Sequence, residues 1–158
     1  MQGKATLIAN PVVSQKHYPQ PPSDFVVSPH VATMWQRYER YLQDREPLQP
    51  MANFRLTVLK DSAKQFPGKK KGDKDRDKAA LMYRVCPRVL SKLGYLTGNV
   101  GDPVTGRKAT VAEQRSLTPQ EVKWLEEVVK KLIRRAGEYA ADPQRQRQQI
   151  TMGVLPQL

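Results

Sequence analysis

The sequence predicts a mainly α-helical protein, a small bundle of three to five helices with an extended N-terminal arm and loops rich in glycine and lysine. In three segments the apolar residues recur at spacings of three and four, which places them on one helical face. Two of these segments begin with a hydroxyl residue and a proline, which is typical of a helix N-terminus. We divide the chain into the arm (residues 1–28), a basic helical domain (29–142) and a tail (143–158).

The composition is strongly basic, with 27 Lys and Arg against 15 Asp and Glu and a formal net charge of +12. This imbalance predicts a polyanionic partner. A single cysteine, Cys86, excludes an internal disulfide framework, and no Cys/His cluster has the spacing of a metal site. Because no apolar run is long enough to span a membrane and no signal peptide is recognisable, we expect a cytoplasmic protein without membrane contacts, cofactor or metal.

The arm contains a proline-rich stretch at residues 18–22, which favours an extended backbone. Ser28 and Pro29 then begin a predicted helix that extends to about residue 43. Its apolar side chains fall within an arc of about 120°. We therefore assign them to the core: they are Val31, Met34, Trp35, Tyr38, Tyr41 and Leu42.

Residues 51–62 give no single prediction. Apolar and polar residues alternate from Ala52 to Val58, as in a strand, but Met51, Phe54, Val58 and Leu59 equally fit a buried helix. Both interpretations stay open, and the neighbouring helices favour the helix. Residues 66–78 then form a charged loop with a cation cluster.

A second helical segment covers residues 78–96, with an apolar face of Met82, Val85, Cys86, Val89, Leu93 and Leu96. Arg84, Arg88 and Lys92 form a basic stripe beside it, and residues 79–96 contain no acid. Like charges four residues apart repel, so the stripe requires either an external anion or acids from elsewhere in the fold, such as those at residues 126 and 127.

Pro87 interrupts this segment, and it either kinks one helix or separates two. In the second case residues 80–93 resemble the core of a helix-turn-helix motif, with Ala80 as the small contact residue, Val85 in the turn, and Val89 or Leu90 packing the second helix. The resemblance implies that Arg88, Ser91 and Lys92 face a DNA major groove. The sequence departs from the motif at Arg84, where a glycine usually permits the turn.

Residues 94–116 contain four glycines and are predicted to form a loop. The last helix covers residues 117–142, where Thr118, Pro119 and Glu121 form a start signal with a capping box. Its apolar stripe is Val122, Leu125, Val129, Leu132 and Ala136. Trp124 and Val128 lie on the opposite side. They either pack under another segment of the chain or bind a partner. In the tail, Ile150, Met152, Val154 and Leu155 either fold back as a strap or dock on a neighbour.

These features favour a non-catalytic subunit that binds the phosphate backbone of DNA or RNA within a larger nucleoprotein complex. In size, helicity and charge the chain is similar to small backbone-binding subunits of multi-subunit nucleoprotein machines. The alternatives are an adaptor that binds an acidic protein through Trp124 and the tails, and a helix-turn-helix DNA-binding protein. The predicted phosphate-contacting residues are Lys69, Lys70, Lys71, Lys74, Arg84, Arg88, Lys92, Arg107, Lys108, Lys130, Lys131, Arg134 and Arg135.

Overall fold

The computed structural model describes residues 24–68, 71–101 and 112–158, which form five α-helices and no strand beyond isolated β-bridges. The helices are α1 (Pro29–Leu42), α2 (Leu48–Ser62), α3 (Asp75–Met82), α4 (Pro87–Gly98) and α5 (Pro119–Ala141), followed by a 3₁₀ turn, Met152–Val154. The mainly helical prediction is confirmed. Most of the predicted arm, residues 1–23, lies outside the described residues.

The two predicted start signals work as helix caps. The Ser28 hydroxyl accepts a hydrogen bond from the Val31 amide at 3.3 Å at the start of α1. At the start of α5 the Thr118 hydroxyl accepts from the Glu121 amide at 3.2 Å, and the Glu121 carboxylate accepts from the Thr118 amide at 2.9 Å. This reciprocal pair is the predicted capping box, and it satisfies two amides that a helix N-terminus leaves without partners.

Helix α2 is the central helix, because it packs against α1, α3, α4 and α5. Its buried side chains include Met51, Leu56 and Leu59, and they point to several sides of the helix. A helix that buries side chains on several sides, and among them the polar Gln49 and Arg55, has a weak amphipathic pattern. This explains why periodicity could not distinguish helix from strand over residues 51–62.

One loop prediction and one core prediction are wrong. Helix α4 continues through Gly94 to Gly98, because tertiary packing outweighs the low helix propensity of glycine. In α1, Trp35 is 49% exposed and Leu42 is 61% exposed, although both were assigned to the core. Helix α1 buries only a narrow line of side chains, so the residues at the edge of the predicted arc remain in solvent. The buried line is Val31, Met34 and Tyr38.

The tail folds back as a strap on the domain. The Cys86 amide donates to the Ile150 carbonyl at 2.8 Å, and the Ile150 amide donates to the Arg84 carbonyl at 2.9 Å. Ile150 and Leu155 are buried, while Val154 is 46% exposed. The strap interpretation is therefore confirmed for the buried part of the tail, and the strap holds the segment between α3 and α4.

Candidate nucleic-acid interface

Pro87 separates two helices, α3 and α4, and residues 83–86 form the turn between them. The Val85 amide donates to the Ala80 carbonyl at 3.0 Å and the Arg84 amide donates to the Leu81 carbonyl at 3.3 Å. This pair of bonds is a Schellman motif, which needs a residue in the left-handed conformation just past the helix end. Arg84 supplies it with a φ of 53°. The arginine thus adopts the conformation for which helix-turn-helix motifs usually use glycine.

The packing inside this unit matches what the resemblance implied. Ala80 is buried between the helices, Val85 is buried in the turn, and Val89 and Leu90 are buried on α4. The opposite face of α4 is accessible: Arg88 and Ser91 are exposed and Lys92 is half-buried. The sequence pattern and the geometry therefore agree on which side of α4 is free to meet a ligand.

No cation of the basic stripe forms a salt bridge within the described part of the chain, although the charge of Lys92 acts at longer range on Glu121 and contributes to lowering its pKa. Arg84 and Arg88 are exposed, and the Lys92 ammonium lies 5.7 Å from the centre of the Tyr95 ring. The two acids that the sequence offered as partners are engaged elsewhere. Glu126 accepts a hydrogen bond from the Tyr41 hydroxyl at 2.5 Å, and Glu127 pairs with Lys130. Neither of these two acids neutralises the stripe, which remains open to an external anion.

The loop cations divide into described and undescribed residues. Lys71 and Lys74 are exposed beside the N-terminus of α3. The other four predicted loop cations lie outside the described residues: Lys69, Lys70, Arg107 and Lys108.

The cations of α5 behave differently from the prediction of a common basic cluster. Lys130 is exposed but pairs with Glu127, and this pairing raises its pKa. Arg134 is exposed and pairs with Glu138 at 3.0 Å, while Lys131 is half-buried. The assignment of Arg135 to the phosphate-binding surface is wrong, because only 8% of this residue is exposed.

Arg135 instead holds the turn and the strap together. Its guanidinium donates to the carbonyls of Tyr83 at 2.6 Å, Arg84 at 2.9 Å and Gln148 at 2.7 Å. Burial lowers its pKa, and Glu138 opposes that effect as its ion-pair partner. A buried arginine with five donors can satisfy several carbonyls at once, and these three lie in the turn and the strap. Arg135 thereby fixes the backbone that presents Arg84.

Trp124 and Val128 are not partner-binding residues, since both are completely buried. Helix α5 packs against both α1 and α2, so it buries side chains on more than one face. The interpretation that Trp124 packs under another segment of the same chain is the correct one. Its indole nitrogen has no hydrogen-bond partner among the described residues.

Known protein families, characterised proteins and solved structures give no significant match to this chain. Within the described residues no group of His, Cys, Asp and Glu side chains is arranged to hold a metal ion. No described helix has the length and apolar character needed to cross a membrane.

Sequence reasoning missed a groove between α2 and α4. Its volume is about 480 Å³, and Lys60 of α2, Arg76 of α3, and Ser91 and Tyr95 of α4 line it. Lys60 belongs to the segment whose secondary structure was undecided, and Arg76 belongs to a run of mixed charge. Neither residue has a sequence signal that connects it to the basic stripe, because only the packing of α2, α3 and α4 brings them together.

Proposed function

We propose that this chain is a non-catalytic nucleic-acid-binding protein, a subunit of a larger nucleoprotein complex that contacts the phosphate backbone through its α3–turn–α4 unit. The observation that supports this most directly is the basic stripe, Arg84, Arg88 and Lys92. Its three cations form no salt bridge within the described residues, in a chain whose formal net charge is +12.

The mechanism is the displacement of condensed counterions. Each Lys or Arg that neutralises a phosphate releases cations from the nucleic acid, and the resulting gain in entropy drives binding. Arg88 also lies in the first turn of α4, where the helix dipole favours an anion. Phosphate contacts fix the position and orientation of the protein without reading the sequence. We therefore expect affinity for many sequences.

Fluorescence anisotropy of a labelled 20-nucleotide duplex and of the corresponding single strand, measured across salt concentrations, tests the proposal. Replacing the three stripe cations with glutamine should reduce the slope of log affinity against log salt by about two to three. A charge-matched control replaces three exposed cations that lie outside the stripe, and its slope should stay near that of the wild type. The control residues are Arg40, Arg45 and Lys123.

Two results would contradict the proposal: no binding by the wild type at low salt, or an equal effect of the stripe and control variants. Burial of Trp124 removes the anchor on which the adaptor hypothesis depended. Association with an acidic protein that survives nuclease treatment of the purified material would support an adaptor instead.

A second candidate, a helix-turn-helix protein that reads duplex DNA, is favoured by the left-handed conformation of Arg84. This conformation lets α3 and α4 form the two-helix unit whose second helix enters the major groove in proteins of that class. Arg88, Ser91 and Lys92 would then meet base edges. Selection from a random duplex pool separates the candidates, because only base readout enriches a sequence. Ser91→Ala should weaken such a preference and leave the salt slope unchanged.

A further inference from the structure

The described residues that line the groove between α2 and α4 include two cations and no acid. Besides Lys60 and Arg76, its polar lining consists of Asn53, Thr57, Ser91, Tyr95 and Asn99. Lys60 and Arg76 form no ion pair or side-chain hydrogen bond with another of the described residues. The acid beside the groove, Glu113, is engaged by the Tyr95 hydroxyl and by Arg115 at 2.8 Å. Two cations, the Ser91 hydroxyl and the side-chain amides of Asn53 and Asn99 are therefore available to one ligand.

The shape of the groove depends on Gly94. A Cβ atom added at this position would lie 3.0 Å from Nη2 of Arg76 and 3.3 Å from Cδ2 of Leu56. The Arg76 guanidinium thus lies directly against the backbone of α4, on the side where the helix lacks a side chain. Because of this close approach, the Arg76 guanidinium of α3 forms part of the groove wall that α4 supplies.

The groove is continuous with the exposed face of α4. Arg88, Ser91 and Tyr95 follow one another at spacings of three and four, so they lie along one side of the helix. The distance along the axis from Arg88 to Tyr95 is about 10 Å. Lys92 contacts the Tyr95 ring at the edge of the groove. An anionic chain that follows the basic stripe would therefore meet Lys60 and Arg76 next.

We propose that the groove between α2 and α4 binds a backbone phosphate of the nucleic-acid strand that contacts the basic stripe, with Lys60 and Arg76 as the residues that hold it. This inference rests on the proposed function. A strand phosphate fits better than a free phosphorylated molecule, because the groove is open and extends the stripe rather than enclosing a ligand. Ser91 and the two asparagines can donate further hydrogen bonds to the phosphate and the sugar.

The test compares Lys60→Gln/Arg76→Gln with a charge-matched control, Arg40→Gln/Lys123→Gln, by anisotropy of the duplex and the single strand across salt. The groove variant should lose about tenfold in affinity at low salt and about two from the salt slope, while the control stays near the wild type. Inorganic phosphate at constant ionic strength should not displace the strand at millimolar concentration.

A second variant keeps every charge. Gly94→Ala places a methyl group against the end of a flexible side chain, so it should fold and move the Arg76 guanidinium. Its affinity should fall by several-fold while its helical circular dichroism stays unchanged. If Gly94→Ala binds as tightly as the wild type while the groove double variant loses affinity, binding does not depend on the position of the Arg76 guanidinium against Gly94. That result would overturn the proposed geometry of the phosphate site.

The outcomes separate the two proposals. If the wild type binds and the stripe variant lowers the slope, but the groove variant equals its control, the groove inference is wrong and the proposed function stands. If inorganic phosphate binds and its binding requires Lys60 and Arg76, while strand binding does not, the groove holds a free phosphorylated ligand and the strand assignment is wrong. If the wild type binds no nucleic acid at low salt, the proposed function fails, and this inference fails with it.

Discussion

The ion pair between Arg115 and Glu121 gives a stability prediction with a defined pH dependence. Nη1 and Nη2 of Arg115 contact the two oxygens of Glu121 at 2.8 and 3.0 Å, and the Thr118 amide donates to the same carboxylate. The pairing with Arg115 is the largest cause, and it lowers the pKa of Glu121 from 4.5 to about 2. Glu121→Gln removes the charge but keeps an oxygen for the capping box.

The magnitude follows from the pKa of Glu121 in the folded and unfolded chains. A change from 4.5 to about 2 corresponds to about 3 kcal/mol of stability. The Arg115 side chain is 37% exposed, so solvent screening reduces the expected loss in Glu121→Gln to about 1–2 kcal/mol at pH 7. Because the pKa of Glu121 is lower in the folded chain, its contribution to the free energy of unfolding is complete above pH 4.5 and disappears as the pH falls toward 2. At pH 3 roughly 40% of it should remain.

Urea unfolding at pH 7 and pH 3, followed by circular dichroism, measures this difference. Glu127→Gln is the matched control, since Glu127 pairs with Lys130 on the surface of the same helix and should contribute less than about 0.5 kcal/mol. Comparing each variant with the wild type at the same pH cancels the titration of the other groups. A loss in Glu121→Gln that is the same at both pH values would refute the argument.

Two further predictions concern the turn. Arg135→Gln should lower the free energy of unfolding by about 2–4 kcal/mol, because three backbone carbonyls lose a charged donor. The control Arg134→Gln should change the free energy of unfolding by less than about 0.5 kcal/mol, and equal effects of the two variants in urea unfolding would contradict the structural role of Arg135. Arg84→Gly should raise the free energy of unfolding by about 0.5–1 kcal/mol, because glycine adopts a φ of 53° without steric cost. A lower free energy of unfolding in this variant would show that the arginine side chain stabilises the turn.

The sequence by itself determined the helix caps and the residues that pack inside the α3–turn–α4 unit. The caps at Ser28 and Thr118 depend on side chains within three residues of the amides that they bind, so a short window contains the whole interaction. The interruption at Pro87 is equally local, because the proline ring and the absent N–H act on the preceding turn, but the sequence left open whether it kinks one helix or separates two. The pattern from Ala80 to Leu90 likewise identified which residues pack inside the α3–turn–α4 unit.

Only the tertiary structure decided which charged and aromatic side chains are free. Trp124 and Arg135 lie on a helix that is packed on more than one face, and no helical periodicity reveals how many neighbours a helix has. Gly94 lies within α4 and packs against Arg76 and Leu56, which the low helix propensity of glycine does not predict. The groove joins Lys60 and Arg76 from two different helices to the wall of α4. Such a site depends on long-range packing, so the physical reason for its existence is absent from any single stretch of the chain.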